Sequence, residues 1–204
     1  PTEMLVKIVM EKKYYSKNKM DETAKTCIQA GANLHSRSGY QEPLMMMAIA
    51  EGLDDVVKLM LSEGVSPNKI GKFNRNSVFS AVELGNKEIL RLLIESGADL
   101  NIVDSESLTP LMHAAINGDT EAVSLLIIGG ADTEWESKSH LIRTFIKNNE
   151  KTTAEALART KGFLKTAETI ASLSKKYTPT NKATDDPLYC INKGYARLRD
   201  DKIE

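Results

Sequence analysis

The chain has few aromatic residues and few cysteines, and each shortage argues against a class of protein. Phe, Trp and Tyr make up only 5% of the 204 residues, whereas apolar residues as a whole make up 41%. The apolar content is therefore mostly Leu, Ile, Val, Ala and Met, which suits close helix packing better than the layers of a β-sandwich. Two cysteines, Cys27 and Cys190, are too few for a disulfide framework in a chain of this length. We expect them to be free thiols.

Long apolar runs and an excess of positive charge are also missing. No run approaches the roughly 20 apolar residues that cross a bilayer, and the opening PTEMLVKIVMEKK contains Lys7 and is typical of an amphipathic helix. The formal net charge is −1 at pH 7, so the chain has no overall basic field to attract a phosphate backbone. We therefore expect no membrane insertion and no nucleic-acid partner.

The compartment is left open by the start of the chain. Free thiols favour a reducing, cytoplasmic environment. A proline at position 1 fits the removal of an initiator methionine, and it fits equally well the cleavage of a leader. A cytoplasmic protein is therefore expected, with a secreted or periplasmic protein as the alternative.

Four segments of the chain repeat with a step of 33 residues. One glycine recurs at Gly31, Gly64, Gly97 and Gly130, and a second recurs at Gly52, Gly85 and Gly118. Apolar columns keep the same step, among them Cys27, Met60, Leu93 and Leu126, and also Ala24, Val57, Leu90 and Val123. A fixed period of this length is typical of a solenoid, in which each unit covers the apolar face of its neighbour.

Each unit is predicted to be a pair of helices. Segments such as PLMMMAIAE and TPLMHAAIN form a short first helix, which ends at a glycine because glycine tolerates the left-handed conformation there. A second helix follows, as in NKEILRLLIES over residues 86–96, and its apolar residues form one broad stripe. The stripe predicts burial between neighbouring units.

These units resemble the ankyrin repeat family. The family's T-P-L-H-x-A-A motif stands here as TPLMHAA at 109–115, and its closing G-A-D-x-N stands as GADLN at 97–101. The resemblance implies an all-α, ankyrin-type helical solenoid of about four to five helix-pair repeats, with degenerate caps and a C-terminal tail. The motif histidine, which ties neighbouring turns together in the family, is replaced by Met46, Phe79 and Met112. We expect apolar packing to take over that role, in a less stable array.

The repeat step divides the chain into four parts. We expect an N-terminal capping helix over residues 1–18, ankyrin repeats over 19–134, a degenerate C-terminal repeat or cap over 135–173, and a tail over 174–204. Within the cap, residues 139–162 are expected to form a helix pair that breaks the step. The tail is expected to dock on the capping helices through Leu188, Tyr189 or Ile191.

No catalytic or metal-binding pattern accompanies the repeat. His35, His113 and His140 have no further ligand at helical spacing, whereas a metal site needs three or four converging ligands. No serine stands in a G-x-S-x-G motif, and the Asp54–Asp55 pair fits the start of a helix. We predict no catalytic residues, no cofactor and no metal, and hence a protein that is not an enzyme.

The resemblance implies that another protein binds at the loop tips and on the exposed side of the first helices. By position within the repeat, the partner-binding residues would be Tyr40, Phe73, Arg75, Glu83, Leu84, Leu108, Ile116, Asn117 and Trp135. Packing does not require a ring in a loop, and aromatic residues and Arg are typical of interface hot spots. We expect Tyr40, Phe73 and Trp135 to form one contact line. The alternative is that each ring folds back onto its own turn.

Two roles remain open within protein binding. One is an inhibitor or immunity-type protein that blocks an enzyme's active site with its loops, and the other is a scaffold or adaptor. The small size, with no second domain to recruit anything, favours the inhibitor. A distant alternative is a catalytic function in the atypical segment 135–204, which would need an ordered pocket of converging titratable groups.

Overall fold

The computed structural model describes residues 1–10, 17–37, 42–146 and 151–177, and within these ranges the secondary structure is helical apart from one isolated bridge between Arg37 and Pro43. The helices are α1 (Thr2–Met10), α2 (Lys17–Gln29), α3 (Leu44–Ala50), α4 (Asp54–Ser62), α5 (Ser77–Leu84), α6 (Lys87–Glu95), α7 (Pro110–Ile116), α8 (Thr120–Ile128), α9 (His140–Phe145), α10 (Ala154–Thr160) and α11 (Leu164–Lys176).

The helices stack in two layers. One layer is α1, α3, α5, α7 and α10, each packed against the next, and the other is α2, α4, α6, α8 and α11 in the same order. Each helix of the first layer also packs against the helix that follows it in its own pair. We number these pairs repeats 1 to 5: α1–α2, α3–α4, α5–α6, α7–α8 and α10–α11. The predicted all-α solenoid is confirmed.

Helix boundaries follow from local chemistry in repeat 3. The Asn76 side chain accepts a hydrogen bond from the Val78 amide at 3.1 Å and begins α5. Gly85 ends α5 with φ 71° and ψ 20°, a left-handed conformation that glycine adopts at little cost. Asn86 then begins α6 by accepting from the Ile89 amide at 3.0 Å. The turn between the two helices is thus specified by three consecutive features of the sequence.

The core runs through the columns that the 33-residue step predicted. Leu93 and Leu126 are fully buried, and Cys27 in the same column is 5% exposed. Burying a Leu side chain contributes roughly 1.5–3 kcal/mol, so a column of such residues accounts for the cohesion of successive pairs. Met112 and Phe79, which replace the motif histidine, are also buried.

Amide side chains tie successive repeats together on the loop side. Asn68 donates to the Gly97 carbonyl at 3.0 Å and accepts from the Asp99 amide at 2.7 Å. One repeat later, Asn101 accepts from the Asp132 amide at 2.7 Å. These hydrogen bonds come from the closing motif of each unit, so the last residue of G-A-D-x-N positions the next loop.

The C-terminal repeat differs from the predicted arrangement. Residues 139–162 do not form a helix pair of their own, because α10 pairs with α11 and not with α9. Thr109 and Thr153 begin α7 and α10 in the same way, and Gly118 and Gly162 end the following turns with φ 69° and 86°. Both intervals are 44 residues, one 33-residue step plus 11. An insertion that contains α9 therefore precedes a fifth unit of ordinary geometry.

At the other end, α1 takes the place of a first helix. It packs against α2 and against α3, with Leu5 fully buried. The predicted boundary at residue 18 thus falls just inside α2, which begins at Lys17. The expectation that the tail docks through Leu188, Tyr189 or Ile191 falls outside the described residues.

Candidate protein-binding groove

A groove lies between α3 and α5, where the first-helix layer meets the loops. It encloses about 370 Å³. Its floor and sides include Met46, Met47, Ala50 and Phe79, and its loop-side rim includes Glu42, Lys72, Phe73 and Arg75. Ser80 and Glu83 complete the lining from α5. The groove offers apolar surface of the size of one or two side chains, edged by charges of both signs.

Methionines give the groove an adaptable wall. Met46 is 5% exposed and lies at the base, whereas Met47 on the next position of α3 is half-buried and Ala50 is exposed. Methionine has an unbranched, polarisable side chain, which adjusts to different apolar shapes. The wall can therefore repack around an inserted side chain without disturbing the core behind it.

The loop tip of repeat 3 holds Phe73 over the groove in an unusual backbone conformation. Phe73 and Asn74 both have positive φ, 55° and 58°, and Phe73 is 66% exposed. Asn74 donates from its side chain to the Val103 carbonyl at 2.7 Å, and the Ser105 amide donates to the Phe73 carbonyl at 2.8 Å. Such strain costs about 1–3 kcal/mol per residue and persists only where neighbours fix it. The next loop therefore holds the exposed ring in place.

Gly71 allows an unusual contact at the base of the same loop. The Lys72 amide donates to Glu42 Oε2 at 3.0 Å, and a Cβ on Gly71 would overlap the Glu42 carboxylate. Any larger residue at position 71 would displace this carboxylate from its place against the backbone. A side chain of repeat 2 thus supports the loop of repeat 3.

Arg75 anchors the groove to the following repeat. Its guanidinium donates to Glu83 at 2.6 Å and to the buried Asp104 carboxylate at 3.0 Å. It also lies over the rings of Phe73 and Phe79, 5.9 Å and 5.5 Å from their centroids. Two ion pairs and two ring contacts fix the orientation of a planar guanidinium closely. Arg75 is 22% exposed, so only part of it faces the groove.

Asp104 is the buried centre of this network. Burial would raise the pKa of its carboxyl, but hydrogen bonds from the Leu108 amide, His113, Arg75 and the Glu106 amide outweigh burial and hold the pKa below its ordinary value of 3.8. His113 Nε2 donates to Asp104 Oδ2 at 2.9 Å, and the His113 ring meets Phe79 edge to face at 5.3 Å. The carboxylate therefore joins the loop of repeat 4 to the loop of repeat 3 and to α7.

The geometry of stacked helix pairs agrees with a comparison to known families. Residues 78–127 match the family model for ankyrin repeats in many copies. These residues are ankyrin repeats. They comprise most of α5 and all of α6 and α7, together with most of α8. Ankyrin repeats are protein–protein interaction modules, and their proteins are generally non-catalytic. The chain matches no curated protein at a significant level.

Three of the predicted partner-binding residues converge on the groove beside the matched ankyrin repeats. Phe73, Arg75 and Glu83 all line it. Leu84, which follows Glu83 and ends α5, is 47% exposed. This juxtaposition agrees with the predicted geometry, whereas the partner-binding role itself stays a prediction.

The remaining predicted residues are placed differently. Leu108 is only 3% exposed, so it belongs to the core of the ankyrin array, and its prediction as a surface residue was wrong because the loop turns it inward before α7. Ile116 is half-buried and Asn117 is exposed at the end of α7. Tyr40 lies outside the described residues.

Trp135 follows the alternative that was left open for the aromatic residues. Its ring is half-buried and packs against the core cluster. Its Nε1 atom is enclosed, with no hydrogen-bond acceptor in the described part of the chain. Of the three aromatic residues predicted to form one contact line, Phe73 is exposed and Trp135 is half-buried. Tyr40 lies outside the described residues.

Sequence reasoning missed several residues of the groove. In the run Met45-Met46-Met47, the first two residues are buried in the core, whereas Met47 lies on the groove wall. Met47 stands one 33-residue step before Ser80, so the repeat links these two groove residues, although neither was predicted as a partner-binding residue. The Arg75–Asp104–His113 network had no such signal, because its members are 9 to 38 residues apart in the chain.

Two further properties concern the described residues alone. No helix within them is long and apolar enough to cross a membrane. No group of three or more His, Cys, Asp and Glu side chains within them could hold a metal ion.

Proposed function

We propose that this protein is a non-enzymatic binding module that captures a partner protein in the groove between α3 and α5 and along the adjoining face of α7. The observation that carries the proposal is the exposed, strained and externally fixed Phe73 beside an apolar groove. The Phe73 ring is 66% exposed, so its burial contributes little to folding, and its backbone position is strained. A partner that buries the ring would gain roughly 2 kcal/mol or more at a hot spot.

Preorganisation also supports this role. Hydrogen bonds from the loop of repeat 4 hold the Phe73 loop, and two carboxylates hold Arg75. Because these groups are ordered before a partner arrives, little conformational entropy opposes binding. Neighbouring exposed residues, such as Leu84 and Asn117, extend the surface along the first-helix layer.

Among possible roles we favour an inhibitor or immunity-type protein that covers an enzyme's active site, with a scaffold or adaptor as the alternative. A fixed ring that projects from a rigid edge is suited to insertion into a partner's cleft. Catalysis by segment 135–204 remains the distant alternative. Its described Lys and Arg side chains are exposed.

Quantitative affinity capture tests the proposal. The wild-type chain, Phe73→Ala and Ala50→Trp are compared, since the last substitution fills the groove. Leu164→Ala is the matched control, because Leu164 is 59% exposed on α11, far along the chain from the groove. A true partner is retained by wild type and the control and is lost from both groove variants.

Calorimetry on the identified partner gives the magnitude. We expect Phe73→Ala to weaken binding by at least about tenfold, or 1.4 kcal/mol. Inhibition of the partner's activity at equimolar concentration would favour the inhibitor over the scaffold. Equal affinity of wild type, Phe73→Ala and Ala50→Trp would refute the groove as the binding site.

A further inference from the structure

The near-neutral net charge conceals a strong segregation of charge along the chain. Residues 1–136 contain 13 Lys and Arg against 20 Asp and Glu, a net charge of −7. Residues 137–177 contain 9 Lys and Arg against 3 Asp and Glu, a net charge of +6. Residues 178–204 are balanced, with 5 of each sign. The positive segment coincides with the insertion and repeat 5.

The cationic end is defined as residues 137–146 and 151–177, which include α9, α10 and α11. The Ser137 amide donates to the Thr152 carbonyl at 3.0 Å, which closes the insertion and brings Lys138 and Lys151 together at its stem. The helices α10 and α11 are joined by a short turn and pack against each other, and Lys175 and Lys176 lie in the last turn of α11. All eight described Lys and Arg side chains of this part are exposed.

Cations in the earlier repeats are paired in a regular ladder. Lys25 binds Asp55 at 2.7 Å and Lys58 binds Glu88 at 2.6 Å, and Arg91 lies 3.6 Å from Glu121. The basic and acidic positions both recur with the 33-residue step. Each ion pair therefore joins the second helix of one repeat to that of the next.

The cationic end departs from this ladder. Ser124 occupies the basic position in repeat 4, and Lys165 occupies the acidic position in repeat 5. Within the described ranges, Lys138, Arg143, Lys165 and Lys175 take part in no ion pair. Unpaired charges of one sign on the same segment repel each other, but they create a local field that attracts an opposite charge.

We propose that the cationic end is an ionic docking surface for an acidic segment of a partner protein. This inference rests on the proposed function, in that the partner is taken to be a protein. The neighbouring body with its charge of −7 favours a short acidic segment over a nucleic acid, because a continuous phosphate backbone would extend across the acidic repeats and be repelled. The surface would orient the partner and raise the rate at which the partner associates with the groove.

Fluorescence anisotropy of the full chain tests the docking surface without the natural partner. The probe is a labelled peptide of alternating Glu and Ser, and the same peptide with Gln in place of Glu is the uncharged control. The double variant Arg143→Glu/Lys165→Glu reverses two exposed, unpaired cations. The double variant Lys25→Glu/Lys58→Glu makes the same change in net charge on the ladder and is the matched control.

We expect the Glu peptide to bind, the Gln peptide to bind at least about tenfold more weakly, and the Arg143→Glu/Lys165→Glu variant to lose at least about tenfold in affinity. The ladder variant should change affinity less than about twofold, and Arg143→Lys/Lys165→Arg should retain it. Raising the ionic strength from about 0.05 to 0.3 M should weaken the binding through screening. Phe73→Ala should leave peptide affinity unchanged, which separates this surface from the groove.

Four outcomes would overturn the proposal. The Glu peptide could fail to bind, or the two double variants could lose affinity equally, which would make net charge alone responsible. A single-stranded RNA oligonucleotide that binds more tightly than the peptide, and is lost from the same variant, would identify a nucleic-acid surface. Sedimentation velocity that shows salt-sensitive self-association, abolished by Arg143→Glu/Lys165→Glu, would identify a second copy of the chain as the occupant.

Discussion

Phe73 combines an exposed ring with a backbone conformation that a bulky residue seldom adopts. Glycine normally destabilises a site relative to alanine by about 0.5–1 kcal/mol, because it loses more backbone freedom on folding. At a left-handed position the order should invert, since a Cβ costs roughly 1–2 kcal/mol there. Strain of this kind lowers the free energy of unfolding, and we expect its benefit to lie in partner binding.

We therefore expect Phe73→Gly to be more stable than Phe73→Ala by about 1 kcal/mol in urea unfolding. The comparison of Leu84→Gly with Leu84→Ala is the control, because Leu84 is exposed in the last turn of α5 and should show the usual order. Alanine more stable than glycine at both positions would mean that the Phe73 loop is not left-handed in solution.

Asp104 illustrates a residue whose charge matters to the fold. Its pKa in the folded state lies below the ordinary value of 3.8, so its contribution to stability is complete above that value and is lost as the pH falls through the folded-state pKa. Asp104→Asn removes the charge that Arg75 and His113 bind. A hydrogen bond to a charged group is worth about 1.5–3 kcal/mol.

Asp104→Asn should therefore lower the free energy of unfolding by at least about 2 kcal/mol at pH 7. The difference from wild type should shrink below about pH 4, where the wild-type carboxyl is protonated in the unfolded state. Urea titrations at a series of pH values measure both effects. Asp99→Asn, at an exposed carboxyl, is the control and should change stability by less than about 0.5 kcal/mol. A difference that is constant from pH 7 to pH 3 would contradict the charge-based account.

At the scale of helices, the 33-residue step carried most of the prediction. The glycine and apolar columns were enough to predict α3 to α8. Glycine recurs because a turn needs a left-handed residue there, and apolar residues recur because one face of each helix is buried. The fifth repeat was missed because its step is lengthened by 11 residues, and Ala154, Glu155 and Ala156 stand where repeat 4 has the Pro, Leu and Met of the motif. The packing of α10 on α7 and of α11 on α8 identifies it, and Thr153 and Gly162 are the signals of the motif that remain in its sequence.

The groove was predictable in part for the same reason. Position within the repeat located Phe73, Arg75 and Glu83, since equivalent positions of stacked units lie side by side. It failed for Leu108 and Trp135, because whether a loop side chain points outward depends on backbone turns that the repeat pattern does not encode. The repeat pattern could not predict contacts between residues that are distant in the chain, such as the contact of Glu42 with Gly71.

The fifth repeat makes a quantitative prediction. Ile170 is 1% exposed and lies 44 residues after Leu126, in the same column as Leu93. Ile170→Ala and Leu93→Ala should each cost about 2–5 kcal/mol in urea unfolding if both belong to one cooperative core. Leu164→Ala, on the exposed side of α11, should cost less than about 0.5 kcal/mol. An Ile170→Ala cost as small as that of Leu164→Ala would mean that α10 and α11 do not share the core.

For the whole molecule, the two-layer stack separates cohesion from recognition. The second-helix layer contributes buried apolar columns and a ladder of ion pairs, whereas the first-helix layer and its loops carry the groove, the strained Phe73 loop and part of the cationic end. Because each repeat contacts only its neighbours, stability is distributed along one dimension. Surface residues on the loop side can then vary without loss of the core.

One-dimensional stacking predicts how the molecule opens. Repeats 2 to 4 have a neighbour on both sides, whereas repeat 1 packs only against repeat 2 within the described residues. Hydrogen exchange should therefore be slowest in α6 and α8 and faster in α1 and α2, because an end unit can unfold while breaking one interface. Leu5→Ala should accelerate exchange mainly in α1 and α2, since Leu5 is buried in repeat 1. Leu93→Ala should accelerate exchange in the repeats on both sides of α6, because a central unit cannot unfold without exposing both neighbours. Equal acceleration in α8 by the two substitutions would show instead that the array unfolds in a single step.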